Sequence, residues 1–143
     1  MSSESILIID DNPANQKLAR VTLALEGFIT RTADNAQAAI VVLEQFRPDL
    51  ILMDVQLPDM DGLELTRRFK ASSTMAHIPI IAMTAYAMSG DEQRIHAAGC
   101  DGYISKPIDV RQLPALVRAH LSRKKPSMTK QAGTAKKQLE PGR

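Results

Sequence analysis

Residues 50–62 read LILMDVQLPDMDG, a wholly apolar run that ends at Asp54 and passes into a turn rich in Pro, Asp and Gly. Three other apolar runs along the chain end in a similar way. The polar residues that close the four runs are Asp10 with Asp11, Asp54, Thr84 and Lys106. Continuous apolar strands are typical of parallel sheets that are buried on both faces. The pattern therefore predicts an α/β protein whose polar residues gather at the strand ends.

Helix signals alternate with the strand signals. Asn12 can cap a helix that begins at Pro13 and stops at Gly27, and we expect its buried face to carry Leu18, Val21, Thr22 and Leu25. The last helix should follow Lys106-Pro107 with Asp109 as its cap, so that Pro114 interrupts its first turns. Strands are predicted at residues 6–9, 28–32, 50–53, 78–83 and 103–105, with five helices between and after them.

Strand composition also predicts the strand order. The first, third and fourth strands are apolar throughout, whereas residues 28–32 and 103–105 mix polar and apolar side chains, as edge strands do. With right-handed crossovers, this favours a flavodoxin-like, doubly wound parallel sheet of five strands in the order 2-1-3-4-5. In that order the first and third strands are neighbours, so Asp10, Asp11 and Asp54 should meet at their carboxyl ends.

Three close carboxylates need a cation in order to stay ionised together. Hard oxygen ligands suit Mg²⁺, which also binds phosphate oxygens. Lys106 would add a positive charge to this site, and Thr84 could donate a hydrogen bond to a phosphoryl oxygen. Since phosphoryl transfer depends mainly on positioning and charge neutralisation, the site could support attack of a carboxylate on phosphorus.

Four separated blocks of sequence carry a specific resemblance. They are Asp10-Asp11, residues 52–62 (LMDVQLPDMDG), residues 83–85 (MTA) and residues 105–107 (SKP). In content, order and spacing they resemble the CheY-like receiver domain of two-component response regulators, and most of all single-domain DivK-like regulators. The resemblance covers about residues 5–121, and it implies a phosphoprotein of phosphorelay signalling rather than an enzyme with a separate substrate.

The resemblance also implies a role for each site residue. Asp54 would accept the phosphoryl group from a histidine kinase or a histidine phosphotransfer protein. Asp11, Asp54 and the backbone carbonyl of Gln56 would bind Mg²⁺ directly, and Asp10 would act mainly through water. Thr84 and Lys106 would bind phosphoryl oxygens, and the side chain of Tyr103 would follow Thr84 as part of the switch. Gln56 and Tyr86 would tune the lifetime of the acyl phosphate, and the Lys106–Pro107 peptide would be cis. Phosphorylation would switch a surface made of the fourth helix, fifth strand and fifth helix toward an unknown protein target.

Composition bounds the rest of the chain. A length of 143 residues suits one domain, which we expect over residues 1–121. Neither a membrane span nor a signal peptide is predicted, so we expect a cytoplasmic protein. Residues 122–143 hold seven basic residues and one acidic residue, whereas the remainder holds 11 basic and 15 acidic residues. The basic segment is predicted to be a disordered tail, and about 22 residues are too few for a DNA-binding domain.

Other functions remain open at this point. The chain could be the receiver segment of a hybrid histidine kinase, or an interaction module that works without phosphorylation. An aspartyl-phosphate hydrolase of the haloacid-dehalogenase type would need a second Asp two residues after the nucleophile, and Gln56 stands there. The intact set of Asp10, Asp11, Asp54, Thr84 and Lys106 disfavours a module that has lost phosphorylation.

Overall fold

The structure is a computed structural model that describes residues 3–85 and 91–124. Within these residues strands and helices alternate along the chain. The strands are β1 (Ser5–Ile9), β2 (Ile29–Ala33), β3 (Leu50–Asp54), β4 (Ile80–Thr84) and β5 (Gly102–Ser105), and the helices are α1 (Pro13–Leu25), α2 (Ala36–Leu43), α3 (Gly62–Ala71), α4 (Asp91–Ala98) and α5 (Leu113–Lys124). All strand pairs are parallel and the order is β2-β1-β3-β4-β5, which confirms the predicted fold and both predicted edges.

The core lies in two layers, one on each face of the sheet. Alternate residues of the central strands point to opposite faces, as the two-residue period of a strand requires. Leu7, Met53 and Ala82 pack with the residues of α2, α3 and α4, whereas Ile8 and Leu52 pack with those of α1 and α5. Because both faces are covered, polar groups of the central strands can reach solvent at the strand ends. None of the helices in the described ranges is long and apolar enough to cross a membrane.

The predicted buried face of α1 is wrong. Leu18, Val21 and Leu25 are 40%, 39% and 81% exposed, and the residues that are fully buried are Ala19 and Leu23. The side-chain amide of Gln16 is compatible with the observed rotation, since it donates to the backbone carbonyl of Asp10 and to the carboxylate of Asp34. Residues three and seven positions after Gln16 share its face of the helix, and these are Ala19 and Leu23. The start of the helix is as predicted, since Asn12 accepts a hydrogen bond from the backbone N–H of Asn15.

The helix α5 starts later than predicted. The backbone N–H groups of Gln112 and Leu113 donate to the carbonyl of Asp109, so a turn precedes the helix, which begins at Leu113. Pro114 is then the second helical residue, where its missing N–H group costs nothing. The helix continues to Lys124, so the first three residues of the expected tail, 122–124, are helical. The rest of the predicted tail, residues 125–143, lies outside the described residues.

Candidate functional site

Three carboxylates meet where β1 and β3 end. Asp10 follows β1 directly, Asp54 is the last residue of β3, and Asp11 lies next to Asp10. One oxygen from each carboxylate lies within 4.8 Å of the others. Asp10 and Asp54 are buried, at 0% and 3% exposure, whereas Asp11 is exposed. This acidic cluster, defined as Asp10, Asp11 and Asp54, is therefore open to solvent on the side of Asp11.

Backbone hydrogen bonds orient the two buried carboxylates. Oδ1 of Asp10 accepts from the N–H of Asn12 at 2.9 Å, and Oδ1 of Asp54 accepts from the N–H of Gln56 at 3.0 Å. Each residue thus uses one oxygen for its own turn and keeps Oδ2 for the cluster. The Nζ atom of Lys106 lies 3.2 Å from Oδ2 of Asp10 and 3.2 Å from Oδ2 of Asp54. A single ammonium group therefore lies between two buried carboxylates.

The positive charge of Lys106 alone does not compensate for the negative charges of the buried carboxylates. Burial raises the pKa of Asp54 to about 6; the hydrogen bond from Gln56 lowers this pKa, the charge of Asp10 raises it, and Lys106 lowers it. The pKa lies well above that of an ordinary aspartate because the carboxylate is buried and its nearest charged neighbours include a second carboxylate. A positive ion beside Asp54 would stabilise the charged form.

The donor set fits a divalent cation. Oδ2 of Asp10 is buried and, among the described residues, has no hydrogen-bond partner, although Lys106 lies beside it. Carboxylate oxygens on both sides of one crevice, with Asp11 open to solvent, are the hard ligands that Mg²⁺ takes, and they leave room for its waters. Gln56 lies on the turn that leaves β3, and its backbone N–H donates to the carboxylate of Asp54.

Thr84 and Lys106 come from the next two strands. Thr84 is the last residue of β4 and is buried, and its carbonyl accepts a hydrogen bond of 2.8 Å from the backbone N–H of Lys106. The Lys106–Pro107 peptide is cis, as the resemblance implies. Tyr103 lies on β5, and its hydroxyl donates to the carboxylate of Glu92 on α4. Tyr86 lies outside the described residues.

The turn after β3 is held by contacts that the sequence did not reveal. A Cβ on Gly62 would lie 2.0 Å from the backbone oxygen of Asp54, so only glycine permits α3 to start this close to the strand. The carboxylate of Asp59 accepts from the N–H groups of Ala36 and Gln37 at the start of α2, which lowers the pKa of Asp59. The partners of Asp59 lie more than 20 residues away in sequence, so no local sequence pattern predicts these hydrogen bonds.

This arrangement is matched by a known family. The response regulator receiver domain family matches residues 6–118. The chain belongs to this family. Receiver domains with their own solved structures share its fold: one from Methanospirillum hungatei is 30% identical, with a TM-score of 0.79 over 86% of this chain and 97% of that one.

Two further relatives bear on the kind of receiver. The polar-differentiation response regulator DivK of Brucella anthropi is 44% identical over 118 residues, which is 82% of this chain and 96% of that protein. The receiver domain of a sensor histidine kinase from Pseudomonas aeruginosa is 32% identical, with a TM-score of 0.77 over 85% of this chain and 99% of that one. Its structure contains a magnesium ion in the active site cleft. The match covers nearly the whole length of DivK, so this chain is a single receiver domain similar to that response regulator.

Proposed function

We propose that this receiver is switched by Mg²⁺-dependent phosphorylation of Asp54. The observation that carries the proposal is the position of Asp54, a buried strand-end carboxylate within 4.8 Å of Asp10 and Asp11 and 3.2 Å from the ammonium of Lys106. Family membership and the magnesium ion in the related kinase receiver support it. The donor would be a phosphohistidine of a histidine kinase or histidine phosphotransfer protein in the cytoplasm.

The chain's own residues supply most of what the transfer needs. An oxygen of Asp54 forms a bond to phosphorus while the P–N bond to the donor histidine breaks, and the imidazole leaves with its electron pair and takes up a proton from solvent. Asp10, Asp11, Asp54 and the carbonyl of Gln56 would hold Mg²⁺, which neutralises charge on the phosphoryl group when bound. Lys106 stabilises negative charge on a phosphoryl oxygen, and Thr84 donates a hydrogen bond to another.

The consequence of phosphorylation is a change at the output surface, defined as α4, β5 and α5. Thr84 moves toward the phosphoryl group, and Tyr103 follows it on the neighbouring strand. Gln56 and Tyr86 would tune the lifetime of the acyl phosphate because they flank Asp54 in the family pattern. The target is a protein that distinguishes the two states of this surface.

The first test is chemical. Acetyl phosphate with Mg²⁺ should add one phosphoryl group, about 80 Da, to the intact protein, as measured by mass spectrometry. Asp54→Asn should abolish the addition because the amide is a poor nucleophile. Asp49→Asn is the matched control, since Asp49 precedes the same strand at its opposite end, and this variant should be labelled like the wild type. Unchanged mass of the wild type, when a known receiver is labelled, would refute the proposal.

A further inference from the structure

A hydrogen bond joins the switch tyrosine to the first turn of α4. The hydroxyl of Tyr103 donates to a carboxylate oxygen of Glu92, the second residue of that helix. The ring of Tyr103 is partly buried and packs against the core that contains Ile95 and Ala98, so the aromatic body lies under α4 and the hydroxyl reaches its start. Hydrogen bonds to an ionised acceptor are stronger than those between neutral groups.

The register places Tyr103 and Thr84 on the same face of the sheet. Tyr103 pairs with Ala82, and Thr84 follows Ala82 by two residues, so both side chains leave the sheet on the side of α4. In the proposed switch Tyr103 turns toward Thr84 on β4, whereas its present partner Glu92 lies on α4. Because a hydrogen bond depends on distance and angle, a rotation of the Tyr103 ring while α4 stays in place breaks the bond from its hydroxyl to Glu92.

We propose that Glu92 is a positioning residue whose carboxylate holds Tyr103 against α4 in the unphosphorylated protein and thereby favours the resting state of the switch. The inference rests on the proposed function, because it assumes that phosphorylation of Asp54 moves Tyr103. Glu92, which lies outside the phosphorylation site, would oppose this movement. The same hydrogen bond raises the pKa of Tyr103, since the phenolate would face the Glu92 carboxylate. Because this hydrogen bond is exposed to solvent, its loss should shift the two-state equilibrium by only about two- to fivefold.

The composition of the chain permits a direct spectroscopic test. The sequence contains two tyrosines, Tyr86 and Tyr103, and no tryptophan. In a Tyr86→Phe background, tyrosine fluorescence therefore reports on Tyr103 alone. A carboxylate that accepts a hydrogen bond from a phenol quenches its emission, so Glu92→Gln should increase the emission and lower the pH at which Tyr103 ionises. Glu44→Gln, at the exposed end of α2, is the matched control and should change neither.

A double-mutant cycle distinguishes a restraint of Tyr103 by Glu92 from a general structural effect of either substitution. In the same Tyr86→Phe background, Glu92→Gln and Tyr103→Phe should each accelerate labelling by acetyl phosphate by about two- to fivefold, because each removes the bond that favours the resting state. The double variant should be no faster than either single one, since both changes remove the same interaction. Additive effects, or no acceleration with unchanged Tyr103 emission, would overturn the proposal.

The two proposals fail in different ways. If acetyl phosphate adds no mass, the proposed phosphorylation fails, whereas the emission of unphosphorylated Glu92→Gln still shows whether Glu92 holds Tyr103. If mass is added but Tyr103 emission stays quenched on the same sample, phosphorylation stands and the release of Tyr103 from Glu92 is refuted. An increase of emission toward that of Glu92→Gln, together with the added mass, is the expected result.

Discussion

At the scale of single residues, one ammonium group, that of Lys106, contacts both buried carboxylates of the site. It lies 3.2 Å from an oxygen of each buried aspartate, yet the pKa of Asp54 is still raised to about 6. One positive charge does not compensate for two buried carboxylates, because burial penalises each ionised group separately. The site is therefore electrostatically short of positive charge, which is the condition under which a metal ion binds.

This imbalance predicts a pH dependence of metal binding. Because the folded pKa of Asp54 is about 6, a proton competes with Mg²⁺ for this carboxylate below that pH. We expect the affinity for Mg²⁺ to be constant above about pH 7 and to fall by up to about tenfold per pH unit below 6. Isothermal titration calorimetry at several pH values measures this directly.

The control is Asp54→Asn, which cannot be protonated at this position. Its affinity for Mg²⁺ should be lower than that of the wild type at pH 7.5 and should lose the part of the pH dependence that is centred near 6. An equally steep decline in the variant would show that another group is responsible.

At the scale of elements, α1 shows that tertiary contacts decide which face of a helix is buried. Gln16 donates to the carbonyl of Asp10 and to Asp34 in the same rotation that buries Ala19 and Leu23. The apolar stripe of Leu18, Val21 and Leu25 is left on the surface. An apolar spacing on a helix is thus compatible with more than one rotation, and the contacts with the rest of the fold select one of them.

Two leucines of α1 provide a matched test of this rotation. Leu23 is fully buried and Leu25 is 81% exposed, although they are two residues apart. We expect Leu23→Ala to lower the free energy of unfolding by about 2–5 kcal/mol, because it leaves a cavity in the core. Leu25→Ala should change it by less than about 0.5 kcal/mol. Urea denaturation of both variants measures the difference. A larger loss for Leu25→Ala would support the predicted rotation, and equal losses would contradict the observed one.

At the scale of the whole molecule, the strand order brings the site and the output surface together. Asp10, Asp54, Thr84 and Lys106 close four neighbouring strands, and Lys106 lies at the start of the connection between β5 and α5. The backbone N–H of Lys106 donates to the carbonyl of Thr84, so the strand that carries the hydroxyl is tied to the strand that carries the ammonium. A change at Asp54 can therefore reach β5 through direct contacts.

Lys106→Ala tests this connection. The variant keeps all three carboxylates, so Mg²⁺ should still bind, and with a smaller positive charge in the site the affinity should not fall. Phosphorylation of the wild type should shift the amide NMR signals of α4, β5 and α5, whereas in Lys106→Ala these remote shifts should be lost although the mass increases. Remote shifts of equal size in both proteins would show that the coupling does not pass through Lys106.

The sequence by itself determined the order of the elements, the parallel sheet with its edges, and the gathering of Asp10, Asp11 and Asp54 at one switch point. These features follow from the local composition of each segment and from the order in which the segments are connected, and both can be read from the sequence. It also indicated Thr84 and Lys106, because the residues that close parallel strands share one edge of the sheet.

Tertiary structure alone decided the rotation of α1, the start of α5 at Leu113, the attachment of Asp59 to α2 and the bond from Tyr103 to Glu92. Each of these depends on side chains of different elements, or on where a turn ends, and periodicity within one segment carries no information about such partners. The chemistry of the site could thus be predicted from its strand ends. The contacts that position it, and that favour its resting state, required the packed molecule.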